Sequence, residues 1–338
     1  MKALVCKKPG VLEYEDRPKP LLSEGQAIIR VERVGICGTD LHAFEGTQPF
    51  FSYPRILGHE LSGELMEFDG TGSFKKGDKV TFVPYFPCGS CIACRMGNIN
   101  CCVNIKGAGV HIDGGMTELI SVPAKSIVKG DGLDPDLLAL VEPFSVSTHA
   151  VNRADIQKGE YVLVTGAGPI GLAAMEMAGI AGGKVIAMEI MEQRLAFCRD
   201  VLRLKHVVNA SENPEEKIKE ITGGDWPTVI IDATGSKNTI MKSFNMLAHG
   251  GRIVMLGIQR EEICFSHPEF HKRETTLMSS RNAFKPQFEY VVKCMGDNML
   301  RASSYITHRT KFTRLKDEFR RWLDPKTGVI KAMVEMDL

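Results

Sequence analysis

The chain has 338 residues, of which 43% are hydrophobic and 25% are charged. Its net charge of +1, without a long run of one sign, argues against a nucleic-acid or membrane-surface partner. The length predicts two domains, and no stretch is apolar for long enough to span a membrane. Residues 1–8 lack the apolar core of a signal peptide. We therefore expect a cytoplasmic protein whose ten cysteines are free thiols or metal ligands.

The N-terminal part of the chain, residues 2–83, has the pattern of a β-rich domain. Residues 27–34 combine alternating polarity with β-branched side chains, which predicts a half-buried strand. Residues 75–82 are a polar turn followed by another strand pattern. Short strands with frequent glycine and proline predict a small barrel or sandwich here.

A candidate metal site lies in this β-rich part. Residues 58–63 have the sequence Gly-His-Glu-Leu-Ser-Gly, so the His59 imidazole is next to the Glu60 carboxylate, and Cys37 precedes both. Zinc accepts thiolate, imidazole and carboxylate ligands, and a catalytic zinc site keeps one position open. Taken singly, each residue could be an ordinary loop or core residue. Taken together, they predict a catalytic zinc site.

A second cysteine group follows, with Cys88, Cys91 and Cys94 spaced as Cys-x2-Cys-x2-Cys and the adjacent pair Cys101 and Cys102 behind them. Four thiolates can close a tetrahedron around zinc, which leaves no place for a substrate. This spacing predicts a structural zinc site whose fourth ligand is one of the adjacent pair. A redox pair, an iron–sulfur cluster and a nucleic-acid-binding zinc ribbon are the alternatives, but no second cluster motif and few basic residues accompany the cysteines.

Two further polar residues stand out before the middle of the chain. His111 lies in a turn ahead of a predicted strand at residues 119–122, where it could be an ordinary solvated residue. Glu142 follows the apolar residues 137–141, and a charge there is costly unless it is paired or faces a metal. Glu142 is therefore a candidate for zinc ligation or for contact with the ligands. The alternative is a glutamate at a helix end that extends into solvent.

A dinucleotide-binding pattern begins near residue 160. Residues 160–165 predict a buried strand, and a glycine-rich turn leads from it into a predicted helix. Such glycines let the backbone approach a pyrophosphate at the helix N-terminus. The predicted cofactor-binding residues of this turn are Gly166, Gly168, Pro169, Ile170 and Gly171.

The next predicted strand ends at Glu189, where a carboxylate would bind the adenosine ribose and repel a 2′-phosphate. NAD is therefore expected rather than NADP. Arg194 is a nearby cation that could favour a 2′-phosphate, and its alternative role is that of a solvated helix residue.

Strands and helices then alternate, which predicts an α/β fold with a doubly wound parallel sheet. The predicted helices are residues 192–202, 214–222 and 237–247, and the predicted strands are residues 206–208, 229–232, 252–256 and 276–280. Two more helices, at residues 285–295 and 313–323, and a strand at residues 328–334 follow. The last strand is expected to return to the first domain.

In order and spacing, these motifs resemble the zinc-containing medium-chain dehydrogenases/reductases over essentially the whole chain. The combination of Cys37, His59 and Glu60 with Glu142-Pro143 is similar to the polyol and threonine dehydrogenase branch. The resemblance implies a Rossmann sheet at residues 148–282 and a GroES-like catalytic domain at residues 1–147 and 283–338. It also places the four-cysteine lobe at about residues 86–103, with Cys102 as the fourth ligand.

The resemblance also implies a mechanism. Zinc stabilises the alkoxide of a secondary alcohol as a Lewis acid, and hydride passes from the carbinol carbon to NAD. Thr39 would take the proton and relay it towards His42, although Thr39 could instead be a helix N-cap. Two zinc ions per chain and a homo-oligomer, a dimer or tetramer, are expected.

Finer similarity concerns the substrate. Residues 48–55, 109–115 and 270–282 are similar to the sugar-acid members of this branch, the L-galactonate and L-gulonate 5-dehydrogenases. Arg281, after the last parallel strand, is the first candidate partner for a substrate carboxylate, with Arg55 and His111 behind it. A surface ion pair is the alternative for Arg281. A polyol or L-threonine dehydrogenase is the runner-up function, and a non-enzymatic NAD sensor is the alternative from another class.

Overall fold

The computed structural model describes all 338 residues and divides into two compact units. The first unit comprises Met1–Glu142 and Ala283–Leu338, and the second comprises Pro143–Asn282. The first boundary therefore follows Glu142, whereas the sequence predicts it after residue 147. Each unit has a hydrophobic core of its own, and none of the helices has the length and apolar character needed to cross a bilayer.

The secondary structure consists of short strands and helices. The strands are β1 (Lys2–Lys8), β2 (Val11–Asp16), β3 (Gln26–Ile36), β4 (Arg55–Ile56), β5 (Glu60–Phe68), β6 (Lys79–Phe82), β7 (Tyr85–Phe86), β8 (Lys106–Gly107), β9 (Leu119–Pro123), β10 (Ile127–Lys129), β11 (Tyr161–Thr165), β12 (Lys184–Glu189), β13 (His206–Asn209), β14 (Val229–Asp232), β15 (Arg252–Met255), β16 (Thr276–Ser279), β17 (Ile306–Lys311) and β18 (Lys331–Glu335). The helices are α1 (Gly38–Glu45), α2 (Ile92–Arg95), α3 (Pro135–Ala139), α4 (Val141–Ala154), α5 (Pro169–Ile180), α6 (Glu192–Ala196), α7 (Pro214–Thr222), α8 (Lys237–Ser243), α9 (His267–Lys272), α10 (Lys285–Gly296) and α11 (Leu315–Glu318).

The first unit is β-rich, as predicted. Its largest sheet has seven strands, six of them in the order β10-β6-β5-β3-β18-β17, and β9 pairs with β3. Pairs of strands in this sheet are antiparallel except for β17 and β18. The long strand β3 has the alternating and β-branched residues that predict it, and most of its side chains are buried in the core of the unit.

The order of the strands determines which residues meet at one end of this sheet. On one side of β3, Gly35 pairs with Glu60, the first residue of β5. On the other side, Ile36 pairs with Ala332 in β18. The chain leaves β3 at Cys37 and enters α1 directly. Residues far apart in sequence therefore lie side by side at this end.

The second unit contains a single six-stranded sheet. All of its strand pairs are parallel, and the order is β13-β12-β11-β14-β15-β16. The order reverses beside β11, which leads into the glycine-rich turn, and ligands bind at such a point in doubly wound sheets. The predicted parallel α/β sheet is confirmed.

Two sequence predictions near the C-terminus fail. The helix predicted at residues 313–323 is wrong, because α11 covers only Leu315–Glu318 between two 3-10 turns. Its apolar side chains still pack into the core from these separate turns, so the helical spacing persists without a continuous helix. The sequence prediction also omits β17, a polar strand at the edge of its sheet that alternates between half-buried and exposed residues.

Candidate active site

Cys37, His59 and Glu60 form a compact group in the first unit. One ligand atom from each residue lies within 4.8 Å of the others. Cys37 is the N-cap of α1, and His59 and Glu60 lie where the chain enters β5. His59 and Glu60 are buried, while Cys37 is partly exposed. The group thus brings a thiol, an imidazole and a carboxylate together at the end of the sheet.

Asp40 forms hydrogen bonds to both of the chain segments that carry these residues. Its Oδ2 accepts a hydrogen bond from the Cys37 backbone N–H at 2.9 Å, and its Oδ1 accepts one from the Gly58 N–H at 3.0 Å. Oδ1 also lies 3.8 Å from Nδ1 of His59. Because Asp40 is fully buried, these contacts fix the loop before β5 against the start of α1.

Lys331 lies directly behind Glu60. Its Nζ contacts Glu60 Oε1 at 2.7 Å and Oε2 at 2.6 Å, and it donates to the Ile36 carbonyl at 3.2 Å. Burial acts to lower the pKa of Lys331, but the charges of Glu60 and Cys37 raise it above its ordinary value. The lysine therefore remains a cation inside the unit.

Glu142 approaches the group from the first turn of α4 without joining it. The hydroxyl of Tyr85 donates a hydrogen bond to Glu142 Oε1. Burial raises the pKa of Glu142 to about 7, with Glu60 adding to the shift and His59 opposing it. The carboxylate is thus close enough to interact with His59 and Glu60. Its predicted role as a zinc ligand stays a prediction.

The donor set fits zinc. Nδ1 of His59 is buried without a hydrogen bond, and Asp40 Oδ1 lies 3.8 Å from it. Burial acts to lower the pKa of His59, whereas Cys37 and Asp40 raise it well above its ordinary value. The pocket therefore attracts a positive charge at this imidazole, either a proton or a metal ion. A thiolate, an imidazole and a carboxylate are ligands of catalytic zinc.

The two residues predicted to relay a proton, Thr39 and His42, do not form a hydrogen bond with each other. Thr39 is half-buried in the first turn of α1, and Cys37, not Thr39, is the N-cap. His42 is exposed, and its Nδ1 lies 3.1 Å from Oγ1 of Thr47 and 3.3 Å from Oε2 of Glu45. No hydrogen bond joins Thr39 to His42, so the relay between them stays a prediction.

The four-cysteine lobe forms between β7 and β8. One sulfur atom each of Cys88, Cys91, Cys94 and Cys102 lies within 4.8 Å of the others. The neighbouring Cys101 is exposed and outside this group. Hydrogen bonds from Ser90 lower the pKa of the Cys88 thiol to about 5, which favours the thiolate that zinc requires. All ten cysteines are free of disulfides.

The glycine-rich turn of the second unit has the close backbone packing of a dinucleotide site. Gly166 has a φ of +88°, and a Cβ on Gly171 would lie 1.8 Å from the Gly166 carbonyl oxygen. Gly168 is the N-cap of α5, which begins at Pro169 and continues through Ile170. A Cβ on Gly168 would have only a side-chain nitrogen of Arg194 within 4 Å, at 3.9 Å. A ligand can therefore approach the backbone at Gly168.

Glu189 ends β12 beside this turn. Its Oε2 accepts a hydrogen bond from the Ala167 N–H at 2.7 Å, and its Oε1 accepts from the N–H groups of Ile190 and Met191. Arg194 is half-buried, with Nη1 at 4.0 Å from Glu189 Oε2. It is therefore a neighbour of Glu189 and of the glycine turn, and its predicted role in cofactor binding stays a prediction.

The candidate substrate residues lie in different parts of the chain. The Arg55 guanidinium contacts Asp113 Oδ1 at 3.4 Å and Ser52 Oγ at 3.2 Å. Nδ1 of His111 accepts a hydrogen bond from the Gly107 N–H at 3.0 Å. Both residues therefore help to hold loops of the first unit. Arg281 is exposed and follows β16 at the carboxyl edge of the parallel sheet.

Sequence reasoning missed three residues of the buried group, namely Asp40, Tyr85 and Lys331. A signal existed for Lys331, because it is the one charged residue of the strand predicted at residues 328–334, and a lysine that is buried in a strand needs a partner. Asp40 had a weaker signal, since an aspartate three residues after an N-cap can bond back to it. Tyr85 had none, because nothing local indicates which carboxylate its hydroxyl meets.

Comparison with known proteins agrees with this geometry. Residues 23–132 match the alcohol dehydrogenase GroES-like domain, and residues 169–306 match the zinc-binding dehydrogenase domain. L-galactonate-5-dehydrogenase of Escherichia coli K12 is 40% identical over 335 residues, which cover 99% of this chain and 98% of that protein. The chain belongs to the zinc-binding alcohol dehydrogenase family.

Other members of this dehydrogenase family are similar along most of the chain. Sorbitol dehydrogenase of Halalkalibacterium halodurans is 30% identical, covering 91% of this chain and 92% of its own. An Escherichia coli CFT073 alcohol dehydrogenase solved with NADH superposes with a TM-score of 0.92 at 28% identity, covering 99% of each chain.

Membership of the zinc-binding alcohol dehydrogenase family confirms several predictions. The chain is an oxidoreductase that acts on a small molecule and uses zinc and a nicotinamide dinucleotide. The fold is the predicted combination of a GroES-like domain and a Rossmann domain. The alternative of a non-enzymatic NAD sensor gains no support from these comparisons, because the similar proteins named above are dehydrogenases.

Proposed function

We propose that this dehydrogenase oxidises the C5 secondary alcohol of a hexonate, L-galactonate or L-gulonate, with NAD as hydride acceptor. The observation that carries the substrate class is the 40% identity to an L-galactonate-5-dehydrogenase along 99% of the chain. The buried thiol, imidazole and carboxylate group supports the oxidation of an alcohol. A polyol such as sorbitol is the second candidate, because a sorbitol dehydrogenase is 30% identical over most of the chain.

Within this proposal, Cys37, His59 and Glu60 hold the catalytic zinc, and Glu142 is the further carboxylate beside it. When bound, zinc supplies the Lewis acidity that polarises the alcohol, and NAD accepts the hydride. Asp40 holds the backbones of the ligand-bearing segments in place. Thr39 is the candidate that receives the alcohol proton, with His42 as the outer group of the relay.

NAD preference rests on Glu189. Its carboxylate is fixed beside the glycine turn by three backbone N–H groups, where it can accept hydrogen bonds from a ribose diol and repel a 2′-phosphate. Arg194 is the opposing cation. We expect a higher kcat/KM with NAD than with NADP, and Arg194→Ala should widen the difference. A higher kcat/KM with NADP would contradict this assignment.

Arg281 is the proposed partner of the substrate carboxylate, because a bidentate arginine pair is the strong way to bind a partly buried carboxylate. Arg55 and His111 are the further candidates, and both form hydrogen bonds within their own loops. Arg281→Ala should raise KM for the hexonate by roughly one order of magnitude while changing KM for an uncharged polyol little, because an exposed charged pair contributes less than a buried one. Arg55→Ala is the comparison variant and should affect both substrates alike.

The deciding experiment follows NAD reduction by absorbance with L-galactonate, L-gulonate, sorbitol and L-threonine. We expect turnover with at least one hexonate at a kcat/KM above that for sorbitol and threonine. Turnover of sorbitol or threonine without any hexonate activity would exclude the sugar-acid assignment. If hexonates react but Arg281→Ala affects hexonate and polyol equally, the substrate stands and the carboxylate partner is another residue.

We also propose a cytoplasmic homo-oligomer, a dimer or a tetramer. The absence of disulfides among ten cysteines is consistent with a reducing compartment. Light scattering coupled to size-exclusion chromatography gives the mass of the assembly directly. A mass equal to the 37.3 kDa chain at micromolar concentration would contradict the oligomer.

A further inference from the structure

The buried acidic group around Cys37 depends on a single permanent cation. Asp40, Glu60 and Glu142 are three buried carboxyl groups near the Cys37 thiol. Lys331 is the only lysine or arginine of the chain whose residue is buried, with 2% of its surface exposed. Buried charges of one sign are strongly destabilising unless a counter-charge is present. Lys331 therefore has a specific electrostatic task here.

The hydrogen bonds of Lys331 are saturated. An ammonium group has three donors, and the Lys331 Nζ has three acceptors, namely the two oxygens of Glu60 and the carbonyl of Ile36. The side chains of Lys331 and Glu60 are 3% and 1% exposed. The geometry fixes the Glu60 carboxylate on both oxygens, so its direction is set by the lysine.

The ion pair between Glu60 and Lys331 crosses β3, and it can do so because Gly35 has no side chain. Glu60 begins β5 and Lys331 begins β18, and β3 lies between these two strands. A Cβ built on Gly35 would lie 2.4 Å from Glu60 Oε2 and 3.2 Å from Glu60 Cβ. Any larger residue at this position would occupy the space through which the carboxylate meets the ammonium.

We propose that Lys331 is a positioning residue that supplies a counter-charge to Glu60 whenever zinc is absent and weakens the donation of Glu60 to zinc. The inference rests on the proposed zinc site at Cys37, His59 and Glu60. Because the Glu60 charge is shared with Lys331, and because the ammonium itself repels a cation, zinc binds less tightly than the donors alone would allow. The site therefore keeps its shape without zinc, and the metal remains exchangeable.

Lys331→Met provides the test, because methionine keeps much of the length of lysine and removes its charge. Zinc affinity is measured on the full-length protein by competition with a chromophoric chelator, with thermal unfolding recorded for zinc-loaded and chelator-treated samples. We expect zinc to bind roughly 10- to 100-fold more tightly at this site in Lys331→Met, from the loss of one charge a few ångströms away. The chelator-treated variant should unfold at a lower temperature than chelator-treated wild type.

Three controls separate this account from a purely structural role. Lys331→Arg keeps the charge and should retain the zinc affinity of wild type within about threefold. Lys79→Met removes a half-exposed lysine that pairs with Glu32 and Glu64 and should leave zinc affinity unchanged. Cys37→Ser removes the zinc of the Cys37, His59 and Glu60 site, so the zinc that this variant still releases comes from the four-cysteine lobe. If Cys37→Ser and wild type release zinc identically, the proposed zinc site itself is wrong.

Equal or weaker zinc binding by Lys331→Met than by wild type would overturn the proposal. If Lys331→Met does not fold, a double variant that carries both Glu60→Gln and Lys331→Met replaces it, because both partners are then neutral. Its zinc affinity is compared with that of Glu60→Gln alone. The double variant should bind zinc more tightly than the single variant, because the repelling ammonium is gone. Equal or weaker binding by the double variant would equally overturn the proposal.

Discussion

The two candidate zinc sites differ in how far apart their residues lie along the sequence. The four cysteines of the lobe all lie between residues 88 and 102, in one excursion between β7 and β8. The other site takes Cys37, Glu60 and Lys331 from the ends of three adjacent strands of one sheet. The lobe therefore depends on local spacing, whereas the second site exists only in the folded sheet.

The surroundings of the two sites differ as well. The lobe presents thiols that range from exposed Cys88 to buried Cys102, and they lie within one short loop. The second site is buried, and Asp40, Tyr85 and Lys331 hold its members by hydrogen bonds. A site that the protein holds by itself can be folded without metal, but a loop of thiols needs the metal to fold. Zinc should therefore support folding at the lobe and chemistry at the second site.

The largest effects should come from removing one ligand at each site. Cys91→Ser should lower the zinc content from two ions per chain to one and destabilise the chain by more than about 4 kcal/mol. Cys37→Ser should also lose one zinc ion, reduce kcat/KM by about three orders of magnitude or more, and change stability by only about 1 kcal/mol. Elemental analysis, thermal unfolding and NAD reduction measure these three quantities. An equal loss of stability in both variants would remove the distinction between the sites.

An intermediate effect is expected at Gly35. Gly35→Ala inserts a methyl group 2.4 Å from Glu60 Oε2 and should destabilise the chain by about 1–3 kcal/mol while displacing the carboxylate. The matched control is Gly38→Ala, where a Cβ would have no atom within 4 Å and stability should change by about 0.5 kcal/mol or less. Denaturant unfolding compares the two variants. Similar stability for both variants would mean that the Glu60–Lys331 contact does not depend on the missing side chain at Gly35.

The smallest effect separates two adjacent cysteines of the lobe. Cys101→Ser should change stability by about 0.5 kcal/mol or less, because Cys101 is exposed and outside the group of four sulfurs. Cys102→Ser should behave like Cys91→Ser and lose one zinc ion. Zinc analysis and thermal unfolding of the two serine variants decide between the neighbours. Zinc loss in Cys101→Ser with none in Cys102→Ser would show that Cys101, and not Cys102, is the fourth ligand.

Much of the fold was predictable because its signals are local. The glycine turn at residues 166–171, the alternation around it and the spacing of the lobe cysteines each lie within one or two elements. The polar edge strand β17 and the broken helix around α11 were not predicted. Their conformations depend on a neighbouring strand and on core packing, which local periodicity does not describe.

The candidate active site was predictable only in its donors. Cys37, His59 and Glu60 carry chemistry that is recognisable in the sequence, and the structure brings them together. The groups that position them were not recognised, because the pairing of Lys331 with Glu60 across β3 follows from the strand order. The same limit applies to His42, whose contacts with Glu45 and Thr47 are set by the end of α1.

Graded removal of zinc from the wild-type enzyme tests the division of roles most directly. Zinc content, the temperature of unfolding and NAD reduction with a substrate from the panel are measured on the same samples as the chelator concentration rises. We predict that loss of the first zinc ion per chain abolishes activity while Tm hardly changes, and that loss of the second lowers Tm. A fall of Tm together with activity as the first ion leaves would contradict the assignment of one zinc to chemistry and the other to folding.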